Sequence, residues 1–245
     1  MPELIVALDT PDLNSALHLV DRLHGHTRWF KVGLELFSAV GPRVVEAVRS
    51  RDCQVFLDLK FLDIPNTVQS ASRVASSLGV NMLTIHLSGG RRMVQAALEG
   101  VRQGTPPTTS PPLVVGVTML TSLNREDVSW MAKSSDKTAP DPGELALALA
   151  EHGCRWGVDG VVCSAQETAR IKSITDAACI CVTPGIRMPS DQQANIGKDD
   201  QSRTLTPAEA VAVGSDYLVV GRPITKARDP VRAAESILQS MAATI

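Results

Sequence analysis

The sequence predicts an α/β fold, a single (β/α)8 TIM barrel, and three observations support this prediction. The chain has 245 residues, close to the roughly 250 residues typical of such a barrel. Eight short aliphatic runs alternate with segments of helical length, at about 30 residues for each βα unit. The runs are almost continuously apolar, as is typical of parallel strands covered by helices. Residues 1–245 are therefore predicted to form one barrel domain.

Each predicted strand is a run of aliphatic and β-branched residues. The eight strands are predicted at Leu4–Leu8, Trp29–Gly33, Gln54–Asp58, Met82–His86, Leu113–Val117, Gly160–Cys163, Ile180–Thr183 and Tyr217–Val220. In the first helical segment, Leu13, Leu17, Val20 and Leu23 form one apolar stripe. An open doubly wound sheet is the alternative fold. It is disfavoured because residues 9–12 (DTPD) stand where a glycine-rich dinucleotide turn would be expected.

Composition and charge exclude several classes of protein. The net charge is −2 and aromatic residues make up 3% of the chain, so we expect neither a basic surface for nucleic acid nor a stacking platform for single strands. No apolar run approaches about 18 residues, and no basic region opens the N-terminus, so we expect neither a membrane span nor a signal peptide. The five cysteines are expected to be reduced core thiols of a cytoplasmic protein.

Three polar segments interrupt the alternation of strands and helices. Residues 105–112 are rich in proline and residues 133–143 are polar, and we interpret both as surface loops, with a helix beginning near Glu144. Residues 187–203 are polar and nearly devoid of large apolar side chains. In a barrel this third segment follows strand seven, at the face that carries the active site. It is therefore predicted to be a lid that closes over a ligand.

Charged residues gather at the ends of the first three strands. Asp9 follows strand one, Lys31 lies within strand two, and strand three runs into Asp58, Lys60 and Asp63. Asp58 and Lys60 are two residues apart, so on a strand their side chains share one face. A buried ion pair that merely closes the barrel is one interpretation. The excess of charged partners favours the other, a functional cluster of alternating acids and bases.

Two turns indicate where a phosphate group would bind. Gly221 and Arg222 follow strand eight, and Pro184, Gly185 and Arg187 follow strand seven. In barrels the turns after strands seven and eight often hold phosphate. Glycine lets the backbone approach the phosphate, and an arginine fork matches its oxygens. The two turns together favour a phosphorylated ligand, over which the predicted lid would close.

A specific motif follows the third predicted strand, where residues 58–67 read D-x-K-x-x-D-I-P-x-T. This motif resembles the signature of the orotidine 5′-monophosphate decarboxylase family. The resemblance extends along the whole chain, through the segments 8–9 (LD), 30–33 (FKVG), 117–122 (VTMLTS), 182–187 (VTPGIR), 200–201 (DQ) and 220–223 (VGRP). Sugar-phosphate decarboxylases of the same barrel group share the shorter D-x-K-x-x-D core, so the longer signature is the more specific part.

The resemblance implies a cytoplasmic homodimer that converts orotidine 5′-monophosphate to uridine 5′-monophosphate and CO2 in de novo pyrimidine synthesis, without a metal or an organic cofactor. It implies that Lys60 donates the proton beside Asp58 and the partner subunit's Asp63, so that two chains share each active site. Lys31 and Asp9 would hold the ribose. The other implied substrate contacts are Thr67 across the dimer, Thr121 near the pyrimidine, Pro184 in the strand-seven turn, and Arg187, Gln201, Gly221 and Arg222 around the phosphate.

The charged cluster suits this chemistry. Loss of CO2 leaves negative charge on a pyrimidine carbon that has no electron sink. A fixed ammonium group beside that carbon stabilises the charge as it forms and then supplies the proton. In this interpretation Asp58 and Asp63 hold the Lys60 ammonium group in place.

Two other functions stay open on the sequence alone. A metal-dependent sugar-phosphate decarboxylase or isomerase of the same barrel group would need further carboxylates at the strand ends to hold Mg²⁺. Strand two offers Lys31 and only a later Glu35. A noncatalytic sensor of a phosphorylated ligand would not need an intact Asp–Lys–Asp cluster. One departure from the resemblance is Ser202, where a basic residue is expected, and it would affect closure of the lid.

Overall fold

Eight parallel strands close into a barrel, each hydrogen-bonded to the next and the last to the first. The computed structural model describes residues 1–131, 141–188 and 204–244. Within these residues the strands are β1 (Glu3–Ala7), β2 (Trp29–Gly33), β3 (Gln54–Phe61), β4 (Met82–His86), β5 (Leu113–Val117), β6 (Gly160–Val162), β7 (Ile180–Thr183) and β8 (Tyr217–Val220). The prediction of a (β/α)8 barrel is confirmed, and the open sheet is excluded.

Helices cover the outside of the barrel. The described helices are α1 (Leu13–Leu23), α2 (Leu34–Val40), α3 (Arg43–Arg49), α4 (Pro65–Ser77), α5 (Gly90–Gly104), α6 (Pro142–Trp156), α7 (Ala165–Ile174), α8 (Pro207–Ala212), α9 (Arg222–Thr225) and α10 (Pro230–Ala242). Short 3₁₀ turns lie at Leu87–Gly89 and Ser129–Met131. None of the helices in the described part of the chain is long and apolar enough to cross a membrane.

Five of the eight strands have the predicted bounds, and the other three differ at their ends. β1 runs from Glu3 to Ala7, and β6 ends one residue early, at Val162. The larger correction is β3, which continues past Asp58 to Phe61. It continues because its charged residues point into the barrel mouth while Leu59 and Phe61 pack against the outer core.

The predicted connections have mixed outcomes. Residues 105–112 contain neither helix nor strand, as predicted. The helix expected near Glu144 begins at Pro142, because the Asp141 side chain accepts a hydrogen bond from the backbone of Gly143 and caps it. Residues 133–140 of the predicted loop at 133–143 and residues 189–203 of the predicted lid at 187–203 lie outside the described residues. All five cysteines are described and are free thiols, as expected.

The barrel has two cores, one on each face of its strands. The interior core is formed by inward-pointing residues: Ile5, Ala7, Trp29, Phe56, Met82, Val115, Val182 and Val219. The alternate residues point outward and join the helices in a larger core, in which Leu4 and Val6 of β1 and the following Leu8 pack. The apolar stripe predicted for α1 belongs to this outer core, with Val20 and Leu23 fully buried. Burial on both faces explains why the strands read as continuous apolar runs.

A polar residue before three of the even-numbered strands fixes each strand to its predecessor. The side chains of Asn81, Asp159 and Asp216 accept hydrogen bonds from the backbone N–H groups of the preceding odd-numbered strands, at 2.9, 2.7 and 2.7 Å. Each residue stands immediately before its own strand. The acceptors therefore set the register at the end of the barrel opposite to the strands' carboxyl ends.

We predict that Asp159→Ala lowers the free energy of unfolding by about 1 kcal/mol, because Val114 N–H loses its acceptor at the start of a buried strand. Asp159→Asn is the matched control, since an asparagine fills the same role at position 81. Urea denaturation measures both variants. Equal stabilities of the alanine and asparagine variants would contradict the assigned role.

Candidate active site

A cavity of about 480 Å³ opens at the carboxyl ends of the barrel strands. Most of the residues predicted for the site line this cavity together. They are Asp9, Lys31, Asp58, Lys60, Thr121, Pro184, Arg187, Gly221 and Arg222. Apolar side chains of the barrel, including Phe56 and Val219, line the same cavity. Charged groups therefore meet an apolar floor at the barrel mouth.

Four of the charged side chains form a row of alternating sign. The Lys60 ammonium group donates to both oxygens of Asp58, each at 2.8 Å from Nζ. Lys31 Nζ lies 3.0 Å from Asp9 Oδ1 and 3.8 Å from Asp58 Oδ2. The row thus runs Asp9, Lys31, Asp58, Lys60, and each ammonium group stands beside at least one carboxylate. Such pairing holds every charge in a defined place.

The alternation of side chains along each strand brings these charges together. On β3, Phe56 points into the barrel, so Asp58 and Lys60 point inward at the next two positions of the same face. On β2, Trp29 points inward and Lys31 follows it two residues later. The side chains of Asp58 and Lys31 are only 11% and 12% exposed. Charges removed from water to this extent are costly unless they are paired, which the row achieves.

The backbone at Lys60 departs from regular strand geometry. Its φ angle is +51°, in the left-handed region that side chains other than glycine rarely adopt. The Lys60 N–H group donates to Thr84 Oγ1 at 2.8 Å, and Thr84 Oγ1 donates to Asp58 Oδ1 at 3.1 Å. Thr84 was not predicted as a site residue. A signal was available, because Thr84 lies two residues after the inward-pointing Met82.

His86, the last residue of β4, interacts electrostatically with Lys60 and Asp58 and was not predicted for the site. Burial lowers the pKa of its imidazole, and the positive charge of Lys60 lowers it further. Both effects favour the neutral form of the imidazole, so the carboxyl end of β4 gains no strongly held positive charge.

The turns after β7 and β8 contribute the cationic end of the cavity. Arg187 is 8% exposed and donates from Nη1 to the carbonyl of Ile186 at 2.9 Å. The Arg187 N–H group donates to the carbonyl of Leu205 at 3.0 Å, so the chain before residue 189 lies beside the chain after residue 203. A Cβ atom at Gly221 would come within 3.2 Å of Asp9 Oδ2. Glycine at this position therefore leaves room for the carboxylate.

Two of the described residues that were predicted for the site do not line the cavity. Asp63 and Thr67 are exposed, and neither lines it. Asp63 Oδ1 instead accepts a hydrogen bond from the Ile64 N–H group at 2.6 Å, just before α4. Gln201 lies outside the described residues. A site assembled from one chain thus contains Asp58 and Lys60 but not Asp63.

Two charged residues line the cavity without having been predicted for the site. Glu35 stands in the first turn of α2 and Lys226 directly follows α9. Both lie on helical segments after strand ends, so neither falls in the strand-end positions from which the site was predicted. Within the described part of the chain, no group of three or more His, Cys, Asp or Glu side chains is placed to hold a metal ion.

Gly33 is the residue that leaves space for the Lys31–Asp9 pair. A Cβ atom there would stand 2.7 Å from Lys31 Nζ and 3.6 Å from Asp9 Oδ1. The Gly33 φ angle of −95° is one that alanine adopts freely. A methyl group at this position would therefore displace the Lys31 ammonium group without straining the backbone.

We predict that Gly33→Ala moves Lys31 Nζ beyond hydrogen-bonding distance of Asp9 while the free energy of unfolding changes by no more than about 0.5 kcal/mol. Crystal structures and urea denaturation measure the two effects. Gly25→Ala is the control, because a Cβ atom there meets nothing within 4 Å. A Lys31–Asp9 distance that stays at 3.0 Å in Gly33→Ala would contradict the prediction.

Comparison with known proteins relates this site to one family. The sequence profile of the orotidine 5′-phosphate decarboxylase / HUMPS family matches residues 2–237. An orotidine 5′-phosphate decarboxylase of Nitratidesulfovibrio vulgaris (strain DP4) is 50% identical over 243 residues, which cover 99% of each chain. That of Lawsonia intracellularis (strain PHE/MN1-00) is 42% identical over 241 residues, 98% of this chain and 100% of the relative.

A solved structure gives the same relationship. The crystal structure of orotidine 5′-phosphate decarboxylase from Lactobacillus acidophilus matches with a TM-score of 0.83 and 33% identity, over 98% of this chain and 99% of that one. Matches of this extent cover the barrel and every described residue of its mouth. The chain belongs to the orotidine 5′-phosphate decarboxylase / HUMPS family.

Proposed function

We propose that this protein is an orotidine 5′-phosphate decarboxylase, a carboxy-lyase that removes CO2 from orotidine 5′-monophosphate to give uridine 5′-monophosphate in pyrimidine synthesis. The observation that carries the proposal is the row Asp9, Lys31, Asp58 and Lys60 at the mouth of the barrel. It occurs in a chain that is 50% identical to a protein named for this activity.

In the proposed reaction Lys60 acts on the carbon that loses CO2. Breaking the carbon–carboxylate bond leaves its electron pair on the pyrimidine carbon, and the nearby ammonium group stabilises that charge as it forms. The ammonium group then transfers a proton to the same carbon and becomes an amine, which regains a proton from water. Asp58 holds Lys60 Nζ with two bonds of 2.8 Å, so the donor is already placed before substrate binds.

The remaining predicted residues are proposed to bind the rest of the nucleotide. Asp9 and Lys31 hold the ribose, and Thr121 and Pro184 lie beside the bound ligand. The phosphate is proposed to contact Arg187, Gln201, Gly221 and Arg222, under the lid at residues 187–203. Because the phosphate is remote from the reacting carbon, its binding energy is available to hold the substrate in the reactive position.

We also propose that two copies of the chain form a homodimer with shared active sites. Asp63 and Thr67 are exposed and stand outside the cavity of their own barrel, so they are available to a neighbouring one. Leu62 and Ile64, which flank Asp63, are 53% and 67% exposed. Apolar side chains of this size on a short segment favour burial against a second copy.

The remaining parts of the proposal follow from the small-molecule substrate. The whole chain, residues 1–245, acts as one barrel domain that is proposed to work in the cytoplasm, with neither nucleic acid nor membrane as a partner. Lys60 chemistry of this kind calls for no metal and no organic cofactor. The alternative from the sequence is a metal-dependent sugar-phosphate decarboxylase. A chelator distinguishes the two functions, because it would inhibit only the metal-dependent enzyme.

We predict that the protein consumes orotidine 5′-monophosphate in an absorbance assay, at the same rate with and without EDTA. Lys60→Ala should lower kcat by at least about a thousandfold, because it removes both charge stabilisation and the proton donor. Lys172→Ala is a matched control. Lys172 pairs at 2.7 Å with Asp216, the residue that precedes β8, and its loss should leave the activity of the folded protein unchanged.

Two outcomes would contradict this proposal. Activity that EDTA abolishes and Mg²⁺ restores would favour the metal-dependent alternative. Retention of more than a few per cent of wild-type activity by pure, folded Lys60→Ala would remove Lys60 from the chemistry, since one proton-transfer group alone contributes about 10²- to 10⁴-fold.

The shared site predicts that two inactive variants restore each other. Lys60→Ala and Asp63→Ala are mixed and allowed to exchange subunits. In the resulting heterodimers one site has both residues and the other has neither. Random exchange in a twofold dimer makes about half of the dimers mixed, so about a quarter of all sites should be intact. The initial rate on orotidine 5′-monophosphate measures the recovery.

The control for this experiment is a mixture of each variant with itself, which should stay inactive. Mass spectrometry of the mixture establishes that heterodimers have formed. If heterodimers form and no activity returns, Asp63 serves its own chain, and the shared site is wrong.

A further inference from the structure

Thr84 occupies a position in β4 that links two parts of the catalytic row. The residue is 0% exposed. Its hydroxyl oxygen accepts a hydrogen bond from the Lys60 N–H group at 2.8 Å and its hydroxyl hydrogen is donated to Asp58 Oδ1 at 3.1 Å. Thr84 is absent from the lining of the described cavity. It therefore contacts the row of charges from the side away from the cavity, where it would not touch a ligand.

The pairing of β3 and β4 is irregular at this point, and the irregularity explains why a side chain is needed as the hydrogen-bond acceptor of the Lys60 N–H group. β3 and β4 pair regularly at Leu57 and Leu83, and they pair again at Phe61 and Ile85. Between these pairs β3 advances from residue 57 to residue 61 while β4 advances only from 83 to 85. The Lys60 N–H group falls in this stretch and bonds to the side chain of Thr84.

The hydrogen bonds close a ring through both ends of Lys60. The backbone N–H is bonded to Thr84, Thr84 to Asp58, and Asp58 in turn to Lys60 Nζ at 2.8 Å. The left-handed φ of +51° at Lys60 is sparsely populated and persists only where surrounding structure over-determines it. The Thr84 hydroxyl group therefore contacts both the backbone of Lys60 and the Asp58 carboxylate that positions the Lys60 ammonium group.

We propose that Thr84 is a positioning residue for decarboxylation, which holds the Lys60 ammonium group in its reactive place through the Lys60 backbone and the Asp58 carboxylate. This inference rests on the proposed function for its kinetic consequence. Its structural consequence is independent of the substrate. Without the hydroxyl, Lys60 loses a backbone acceptor and Asp58 loses a donor, so the amine is no longer fixed from both ends.

Threonine 27 provides a matched control within the same barrel. It is 6% exposed, and its hydroxyl accepts from the Trp29 N–H group at 3.3 Å and donates to the Leu4 carbonyl at 2.5 Å. The hydrogen-bonding pattern is the same as that of Thr84, but Thr27 precedes β2, at the end of the barrel away from the cavity. Thr27→Val thus reproduces the chemical change without touching the catalytic row.

The test compares Thr84→Val, Thr84→Ser and Thr27→Val as full-length folded proteins acting on orotidine 5′-monophosphate. For Thr84→Val we expect kcat to fall by about 10- to 100-fold, since small misplacements of catalytic groups cost up to about 10²-fold, while KM changes by less than about threefold. Thr84→Ser retains the hydroxyl and should stay within about threefold of wild-type kcat. Thr27→Val should lower the melting temperature and leave kcat unchanged.

Crystal structures of the wild type and Thr84→Val provide a readout that does not depend on activity. We expect Lys60 Nζ to move away from its position beside Asp58 in Thr84→Val, and to keep that position in Thr27→Val. If the wild type does not decarboxylate orotidine 5′-monophosphate, the proposed function fails, and this comparison still decides the role of Thr84. Thr84→Ala replaces Thr84→Val in both measurements if the valine variant does not fold.

Three results would overturn the inference. They are an unchanged Lys60 in the Thr84→Val structure, a wild-type kcat in the folded Thr84→Val protein where the wild type is active, and a loss in Thr84→Ser equal to that in Thr84→Val. The last result would show that the hydroxyl alone does not account for the loss, because Thr84→Ser keeps the hydroxyl group.

Discussion

The Asp58 carboxylate is shared by groups on three neighbouring strands, and the arrangement of the mouth depends on it. It accepts hydrogen bonds from Lys60 Nζ at 2.8 Å and Thr84 Oγ1 at 3.1 Å, and Lys31 Nζ lies 3.8 Å away. A carboxylate only 11% exposed needs such partners, because an unpaired buried charge is strongly destabilising. The requirement that keeps Asp58 stable in the barrel therefore also places an ammonium group where the reacting carbon is proposed to lie.

The alternation of side chains along each strand places the apolar residues of the interior and the charged residues of the mouth on the same inward face. Along β3 the inward face passes from Phe56 in the interior to Asp58 and Lys60 at the mouth, and along β2 it passes from Trp29 to Lys31. A shift of one residue in either strand would turn these charges toward the helices and the outer core. The packing that fixes the register of each strand thus also fixes the direction of its charged residues.

The same alternation explains how much could be predicted from the sequence. Continuous apolar runs predicted the barrel, and the spacing of Asp58 and Lys60 predicted that they share a face. Thr84 was missed because a threonine in an apolar strand is an ordinary β-former, and its contact with Lys60 arises from the uneven advance of β3 and β4. The left-handed backbone of Lys60 was missed for the same reason. The spacing from Met82 indicates that Thr84 faces inward, but its contact with Lys60 and the Lys60 backbone depend on the pairing of residues far apart in the chain.

Charge within the cavity is distributed unevenly, and the distribution bears on the proposed catalysis. The chain as a whole carries −2, yet cations outnumber carboxylates in the described lining, which has Lys31, Lys60, Arg187, Arg222 and Lys226 against Asp9, Glu35 and Asp58. Lys31 and Lys60 lie beside Asp9 and Asp58, and the other cations of the lining follow β7 and β8. The phosphate group is proposed to bind at that end. In the proposed reaction, binding energy is then supplied far from the bond that breaks, and the Lys60 charge remains available to the carbanion as it forms.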